Sequence, residues 1–492
     1  MDFVKSRLNL SKSLFIRGLQ CHKSLYLDRY HPELKETVSE AQQRIFDTGS
    51  DVGLLAQGLF SGGVEIVYEG FTPAEQIALT ATEIEKGTAT IYEAAFEYDG
   101  VFMKADILHK GKRGWELYEV KATTEVKDVH VNDVALQYYV LAGAGINVVK
   151  AYLVHLNNQY VRNGAIEVNK LFLSEDITEA AKDRQALMAS EIARMREILS
   201  GDIPAIDIGK YCKDPYLCDF YDHCWQHIPE ESVFRLKQRG ARPFELYKQG
   251  LLHLKDVPLE MVSGSQLMQL EAFLGKKEYI NTEEVRSFLD TLWYPLYFLD
   301  FETFNLAVPP FNGMKPYQQL TFQYSLHHIE QEGGDLCHHE YLADPNVDPR
   351  PALANKLLEE IPENACIVAY NAAFEAARLR ELAAFLPKFS MAIQARIDNI
   401  RDLMIPFRKG HIYYWQMMGS YSQKAVLPVL VPDLSYKDME VANGGMAMDA
   451  YANMCRCNDP VEVGKIRSAL LEYCKLDTLG MVRILERLRE MV

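Results

Sequence analysis

The alternation of apolar and polar residues predicts both strands and helices in the first 227 residues. Thr72 and Glu75 enclose a proline in the order TPAE, which is typical of a helix N-cap with a capping box. The runs ATIYEAAFEY and VFMKADILHK predict two strands, and Asp99-Gly100 between them favours a hairpin turn.

Further along, GWELYEVKATT predicts a third strand, residues 130–143 a helix, and NVVKAYLVHLN a fourth strand. Residues 174–199 have the pattern of one long helix. Strands that alternate with helices indicate a mixed α/β domain.

Residues 228–290 are charged and predict helices. Gln249-Gly250-Leu251 could form the turn of a helix-hairpin-helix, which binds backbone phosphates at a helix N-terminus. A helical linker between two domains explains the segment better, because a single glycine is a weak signal for that motif.

From about residue 291 the pattern again alternates between strands and helices. YPLYFLDFETFN, QLTFQYSLHHIE and residues 337–342 predict strands, and ACIVAYNAAFEAARLREL predicts a buried strand that runs into a helix. SALLEYCKLDTLGMVRILERL has the period of an amphipathic helix. The chain is therefore expected to have three parts, residues 1–227, 228–290 and 291–492.

The composition is that of an ordinary globular protein. Of 492 residues, 48% are hydrophobic and 24% charged, and no apolar run is long enough to cross a bilayer, so no membrane partner is expected. The amino terminus lacks the apolar core of a signal peptide, which favours a cytoplasmic location. The formal charge of −16 argues against a protein that coats nucleic acid, but it suits an enzyme that gathers carboxylates around divalent metals.

Four cysteines form the most distinctive chemical pattern: Cys21 near the start, then Cys212, Cys218 and Cys224 nearly two hundred residues later. Four thiolates around one point suit a structural zinc ion or an iron–sulfur cluster. Any single cysteine is better explained as a small buried apolar residue. The even spacing and polar neighbours of this set favour a metal centre that ties the two ends of a domain together.

A second candidate site lies between these cysteines. Asp106 falls on the second strand of the predicted hairpin, and Glu119 and Lys121 share one face of the next strand. Two carboxylates can hold Mg²⁺, and an ammonium group can orient an attacking water. A solvated strand face with alternating charge explains the same residues, and Glu125-Val126-Lys127 repeats the pattern nearby.

Together these residues resemble the RecB-like branch of the PD-(D/E)xK nucleases, whose iron–sulfur members carry one cysteine before the nuclease core and three after it. The resemblance implies that Asp106 and Glu119 are metal ligands and that Lys121 is the catalytic lysine. It implies a 4Fe-4S cluster on the four cysteines, with zinc as the alternative.

The same resemblance maps Gln137, in ALQYYVL, to the family's glutamine–tyrosine motif, with Tyr138 or Tyr139 as the partner. It maps Glu93 to a strand position where relatives often carry an acid. Relatives commonly have a metal-binding histidine on an early helix, and the comparable segment TGSDVGLLAQGLF offers only Gln57.

The sharpest local motif is LDFETF. Asp300 and Glu302 end an apolar strand on one face, Glu375 lies in the first turns of a helix, and Tyr473 and Asp477 lie one turn apart on the last helix. Four carboxylates from a strand and two helices could hold the two divalent metals that cleave a phosphodiester. Each acid by itself is also explained as a cap or a helix-surface group.

This set resembles the DEDD family of 3′–5′ exonucleases on the ribonuclease H-like fold. Asp300 and Glu302 match the first motif, Glu375 in NAAFE the second, and Tyr473-x3-Asp477 the third. The tyrosine is typical of the DEDDy subgroup and would orient the attacking water. The family normally has aspartate in place of Glu375.

The resemblances imply an α/β protein with a RecB-like, restriction-endonuclease-type fold closed by a 4Fe-4S clasp, a helical linker, and a ribonuclease H-like fold. The chain as a whole resembles a bacterial family that fuses the two nuclease domains. The expected function is hydrolysis of phosphodiester bonds in DNA, or else RNA, with Mg²⁺ or Mn²⁺.

The alternative is a nucleic-acid-binding scaffold with a structural cluster and one or both nuclease sites inactive. The absent histidine and the glutamate at position 375 favour that alternative. Lys424, in GSYSQKAVLP, is explained either as a phosphate contact or as a solvated lysine, and Asp402 has no role that follows from the sequence.

Overall fold

A computed structural model describes residues 8–67, 69–237 and 242–492. The described residues form two compact units of mixed α/β structure. The first extends to His227 and includes Leu306–Gln318, and the second contains Ile228–Asn305 and Gln319–Val492. Residues 1–7 of the predicted first domain and 238–241 of the predicted helical segment lie outside the described residues.

The first unit has one seven-stranded sheet, and helices alternate with its strands along the sequence. Its helices are α1 Lys12–Gln20, α2 His22–Tyr30, α3 Glu40–Ala56, α4 Pro73–Lys86, α5 Asp128–Gly143, α6 Val168–Leu171, α7 Thr178–Asp183, α8 Gln185–Ser200 and α9 Tyr221–Trp225. Its strands are β1 Leu10–Ser11, β2 Val64–Glu65, β3 Thr90–Tyr98, β4 Val101–Lys110, β5 Trp115–Lys121, β6 Val148–Leu156 and β7 Phe172–Asp176. The sheet order is β2-β3-β4-β5-β6-β7, and β1 pairs in parallel with β4.

Local sequence signals explain much of this unit. Thr72 and Glu75 form the predicted capping box at the start of α4. β3 and β4 form the predicted hairpin, and Asp99 and Gly100 at its turn have φ angles of 48° and 59°, which a tight hairpin turn requires.

The predicted long helix from residue 174 is wrong at its start. Phe172–Asp176 is an edge strand that pairs antiparallel with β6, and the helix that follows is divided into α7 and α8. The Asp176 carboxylate accepts a hydrogen bond of 3.0 Å from the Thr178 backbone N–H, which starts the helix two residues later. Pairing with a neighbouring strand therefore outweighs the local helical pattern.

The second unit is built on another sheet. Its helices are α10 Pro243–Lys248, α11 Ser265–Gly275, α12 Thr282–Leu289, α13 Arg350–Glu360, α14 Ala373–Phe385, α15 Ser390–Asp398, α16 Ile405–Arg408, α17 Gln423–Leu430, α18 Gly444–Arg456 and α19 Pro460–Glu490. Its strands are β8 Glu278–Ile280, β9 Leu296–Phe304, β10 Leu320–Ile329, β11 Cys337–Leu342, β12 Cys366–Ala369, β13 Ile400–Asp402 and β14 Ile412–Tyr414. The main sheet has the order β11-β10-β9-β12-β13, and β8 pairs with β14.

The directions of the strands determine where the acidic residues of this unit lie. β9 runs antiparallel to β10 and parallel to β12, and β12 runs parallel to β13. Phe298 and Leu299 in β9 are fully buried, because the central strand of a sheet is covered on both faces. The acids of β9 lie just beyond the part of that strand that pairs with β12, at the edge where parallel β12 and β13 end.

The segment 228–290 contains more than helices. α10 is followed by Gly250 with a φ of 84° and then by two 3-10 turns, Leu254–Asp256 and Leu259–Met261. The next regular helix, α11, begins only at Ser265, and β8 adds a strand to the segment. None of the helices in the described ranges is long and apolar enough to span a bilayer.

Candidate functional site

Three carboxylates meet in the second unit. Asp300 and Glu302 lie two residues apart on β9, and Asp477 comes from α19. One ligand atom from each lies within 4.8 Å of the others, and these residues are the one such group of three or more histidine, cysteine or acidic ligands among the described residues. The two-residue period of a strand and the packing of α19 on β9 bring the group together.

Burial dominates the electrostatics of this group. It raises the pKa of Glu302 to about 8 and the pKa of Asp477 to about 6. Burial, and then the charges of Asp477, Glu302 and Glu375, raise the pKa of Asp300 well above its ordinary value. Adjacent buried carboxylates cannot all ionise without a positive charge, so the group favours either protons or a cation.

Glu375 lies in the first turn of α14 beside this group. It is 2% exposed, and its Oε2 atom has no hydrogen-bond partner. Burial raises its pKa to about 8, and its charge in turn raises the pKa of Asp300 and Glu302. An unpaired buried carboxylate oxygen next to three further carboxylates fits a hard divalent cation such as Mg²⁺ or Mn²⁺.

Asp402 has a structural role that its sequence context did not reveal. Its Oδ1 atom accepts hydrogen bonds of 3.0 Å from the backbone N–H groups of Asn371 and Met404. Asn371 has a φ of 72° at the turn between β12 and α14, so this contact fixes the turn that presents Glu375.

Side chains from α17 and its surroundings cover Asp477. Tyr436 donates its hydroxyl to Asp477 Oδ1 at 2.7 Å, and Gln423 Nε2 donates to the Asp477 backbone oxygen at 2.6 Å. Lys424 Nζ lies 3.3 Å from the Tyr473 hydroxyl oxygen and donates to a backbone oxygen at 2.7 Å. The sequence singled out Tyr473 and Lys424, but nothing in it distinguished Tyr436 or Gln423 from other polar residues.

The first unit brings most of its predicted site residues together. Glu119 on β5 is 1% exposed, and its Oε1 atom is 2.6 Å from Lys121 Nζ. Gln137 on α5 donates from Nε2 to Glu119 Oε2 at 2.6 Å. Asp106 on β4 accepts a 2.7 Å hydrogen bond from the Val120 backbone N–H.

Two further residues belong to this cluster. Asp133 lies one turn before Gln137 on α5, and Lys121 Nζ is 2.6 Å from its Oδ2 atom. Lys12, the first residue of α1, is 2.9 Å from Glu119 Oε1. Sequence patterns missed Lys12 because it lies more than a hundred residues before Glu119.

The other predicted site residues of this unit make their hydrogen bonds with groups outside the Glu119 cluster. Glu93 has a φ of 53°, unusual for a non-glycine residue in a strand, and its carboxylate is 2.5 Å from Lys104 Nζ. The Tyr139 hydroxyl donates to Asp99 at 3.2 Å, and the Tyr138 hydroxyl donates to a backbone oxygen of β6 at 3.4 Å.

The four cysteines line one cavity together with Ser24, Tyr211 and Phe220. Within the described residues, no three of their sulfur atoms lie within 4.8 Å of one another. Burial raises the pKa of the Cys21 and Cys224 thiols.

Protein contacts also hold the two cysteine segments together. Gln20 Nε2, one residue before Cys21, donates to the Tyr211 and Tyr216 backbone oxygens at 2.6 and 2.7 Å. Arg17 on the same helix lies 2.5 Å from Asp219. The cysteine cavity therefore lies where the amino-terminal and carboxyl-terminal segments of the first unit contact each other.

Comparison with known proteins adds a family match for part of the chain. A family model described as a domain of unknown function, DUF2779, matches residues 297–422. The match covers the candidate acids of β9 and α14. It does not reach α19, which supplies Asp477 and Tyr473.

Two mycoplasma proteins are similar over part of their length. The chain is 26% identical over 233 residues to uncharacterized protein MG366 homolog of Mycoplasma pneumoniae, which covers 44% of the chain and 35% of that protein. It is 28% identical over 172 residues to uncharacterized protein UU173 of Ureaplasma parvum serovar 3, covering 30% of the chain and 24% of that protein. The chain thus matches about a third and about a quarter of these two relatives.

Proposed function

We propose that the second unit is a metal-dependent phosphodiesterase that shortens nucleic acid from its 3′ end. The observation that carries this proposal is the meeting of Asp300, Glu302 and Asp477 within 4.8 Å in a buried place. Glu375 adds a fourth carboxylate with an unpaired oxygen. Such a set of hard oxygen donors is what Mg²⁺ or Mn²⁺ requires.

The surrounding residues suit this chemistry. Bound metal would supply an activated water and stabilise the leaving oxygen. Tyr473 would orient the attacking water, and Lys424, with its ammonium group beside Tyr473, would attract a substrate phosphate. The 3′ polarity rests on the resemblance to the DEDDy exonucleases.

The strand arrangement supports the ribonuclease H-like fold that the same resemblance implies. Three antiparallel strands, β9, β10 and β11, precede the parallel strands β12 and β13, and the first of them carries two acids. For the first unit we infer a RecB-like fold with a 4Fe-4S cluster on its cysteines. The shared cavity that all four cysteines line supports a common group there. DNA in the cytoplasm is the proposed substrate, with RNA as the alternative.

A nuclease assay tests the proposal. Purified protein with Mg²⁺ or Mn²⁺ is incubated with single- and double-stranded DNA and RNA carrying a label at either end. We expect stepwise shortening of 5′-labelled strands, abolished by Asp300→Asn and by Asp477→Asn. Asp433→Asn, which changes an exposed aspartate of the same unit, is the matched control and should retain activity.

Intact substrates under every condition, or full activity in the Asp300→Asn protein, would overturn the proposal. Shortening from the 5′ end would retain the metal-dependent chemistry and reject the polarity.

One observation favours a binding role for the first unit rather than a second cleavage site. Both carboxylate oxygens of Glu119 already accept hydrogen bonds from protein donors. A first unit that only binds nucleic acid predicts that Glu119→Gln leaves cleavage unchanged, and a loss of cleavage in that variant would reject this role.

A further inference from the structure

Lys12 places an ammonium group inside the acid cluster of the first unit. Its Nζ atom is 2.9 Å from Glu119 Oε1 and 3.7 Å from Asp133 Oδ1. An ordinary lysine is a cation at neutral pH, and Lys12 has two carboxylates beside it here.

Protein donors already occupy the carboxylate oxygens of Glu119 and Asp133. Glu119 Oε1 accepts from Lys12 and Lys121, and Glu119 Oε2 accepts from Gln137. Asp133 Oδ2 accepts from Lys121 at 2.6 Å, and Asp133 Oδ1 accepts from Gln137 at 3.1 Å. Two ammonium groups thus contact Glu119 and Asp133, with Asp106 as a third carboxylate acting on both lysines, and a metal ion must displace a donor to reach Glu119.

Gln137 shows where a further ligand is missing. Its side chain is 0% exposed, and its Oε1 atom has no hydrogen-bond partner although its Nε2 atom bonds both acids. A buried acceptor without a partner is unfavourable, because it has lost its hydrogen bonds to water. A cation or its bound water beside the two acids would satisfy that oxygen.

The two lysines differ in how firmly they are held. Lys121 makes contacts of 2.6 Å to both Glu119 and Asp133, whereas Lys12 makes one close contact and one of 3.7 Å. Lys12 begins α1, directly after the two residues of β1 that pair with β4. Lys12 is therefore the ammonium group that can leave with the least disruption.

We infer that Lys12 is the resident cation of this cluster and competes with a divalent metal for Glu119 and Asp133. A divalent cation binds there once the ammonium group is removed, with Gln137 beside it. The inference does not depend on the function proposed for the second unit.

Manganese titration of the full chain tests it. Asp300→Asn and Glu302→Gln first silence the acid site of the second unit, and isothermal titration with MnCl₂ follows. We expect Lys12→Met to gain one equivalent of Mn²⁺ bound about tenfold or more tightly than the background protein binds it. Glu119→Gln added to Lys12→Met should remove that equivalent.

Two controls separate charge from folding. Lys12→Arg retains the positive charge and should behave like the background protein, and Lys127→Met removes an exposed lysine of the same unit. Lys12→Gln is a second neutral variant in case Lys12→Met does not fold. A background protein that already binds Mn²⁺ at Glu119 as tightly as the neutral variants, or folded neutral variants that gain no site, would overturn the inference.

Discussion

The Tyr436 hydroxyl donates a 2.7 Å hydrogen bond to Asp477 Oδ1. Burial raises the pKa of Asp477, and the hydrogen bond from Tyr436 opposes that rise, followed by the charge of Lys424 and a hydrogen bond from Tyr473. Gln423 also reaches both Tyr436 and the Asp477 backbone. Groups around α17 therefore help to set the charge of an acid on α19.

Tyr436→Phe should raise the pKa of Asp477, because it removes a donor that stabilises the carboxylate. More Asp477 is then protonated near neutral pH, so divalent cations bind less tightly. We expect the acid limb of the pH profile for Mn²⁺ binding to move to higher pH by about one unit. The profile is measured by titration at successive pH values.

Tyr421→Phe, in the same unit with a 38% exposed side chain, is the matched control and should keep the parent profile. An unchanged acid limb in Tyr436→Phe would contradict the role of this hydrogen bond.

The metal-free second unit should lose stability as pH rises. Glu302 and Glu375 have pKa values of about 8 in the folded protein against 4.5 ordinarily, so the folded state binds more protons than the unfolded state between these values. Stability is therefore present at low pH and falls between about pH 4.5 and pH 8, by at most about 1.4 kcal/mol per pH unit for each of the two glutamates.

Denaturant unfolding in chelator at pH 5 and pH 8 measures this slope, with hydrogen exchange of α19 amides reporting the second unit. Glu302→Gln should flatten the slope, and Asp433→Asn should retain it. Stability that rises across this range would contradict the raised pKa values.

Glu375→Asp should weaken metal binding. Glu375 lies outside the set of ligand atoms within 4.8 Å, although its charge raises the pKa of Asp300 and Glu302. Shortening the side chain by one methylene withdraws the carboxylate further, and we expect about tenfold weaker Mn²⁺ binding. Glu359→Asp, which shortens an exposed glutamate of α13 in the same unit, is the control. Tighter binding by Glu375→Asp would show that the α14 acid approaches the metal from a different direction.

Cys21→Ser should remove the proposed iron–sulfur cofactor and weaken the first unit. Cys21 lies between α1 and α2 and is the one cysteine of the set from the amino-terminal side of the cavity. We expect loss of the broad visible absorbance and faster hydrogen exchange in α1 and α8, with exchange in α19 unchanged. Cys337→Ser, which changes an exposed cysteine of the second unit, is the control.

If the parent protein contains stoichiometric zinc and has no visible absorbance, the cofactor is zinc and not an iron–sulfur cluster. A Cys21→Ser protein with full cofactor content would exclude Cys21 as a ligand.

Local patterns predicted the elements whose signals are short-range. The period of two along β9 placed Asp300 and Glu302 on one face, and the proline and capping box placed the start of α4. The same reasoning was wrong for Phe172–Asp176, because the pairing that makes it a strand comes from β6, about twenty residues earlier.

The sequence by itself determined which residue types and which elements this protein has: the four cysteines, the acids on β5 and β9, and the helix that carries Asp477. Only the tertiary structure decided which charges compensate one another. Lys12 balances Glu119 across 107 residues, whereas Asp300, Glu302 and Asp477 meet beside Lys424, whose charge offsets theirs only in part. Electrostatic energy depends on burial and on distances of a few ångströms between charges. The number of residues between two charged groups along the chain gives neither quantity.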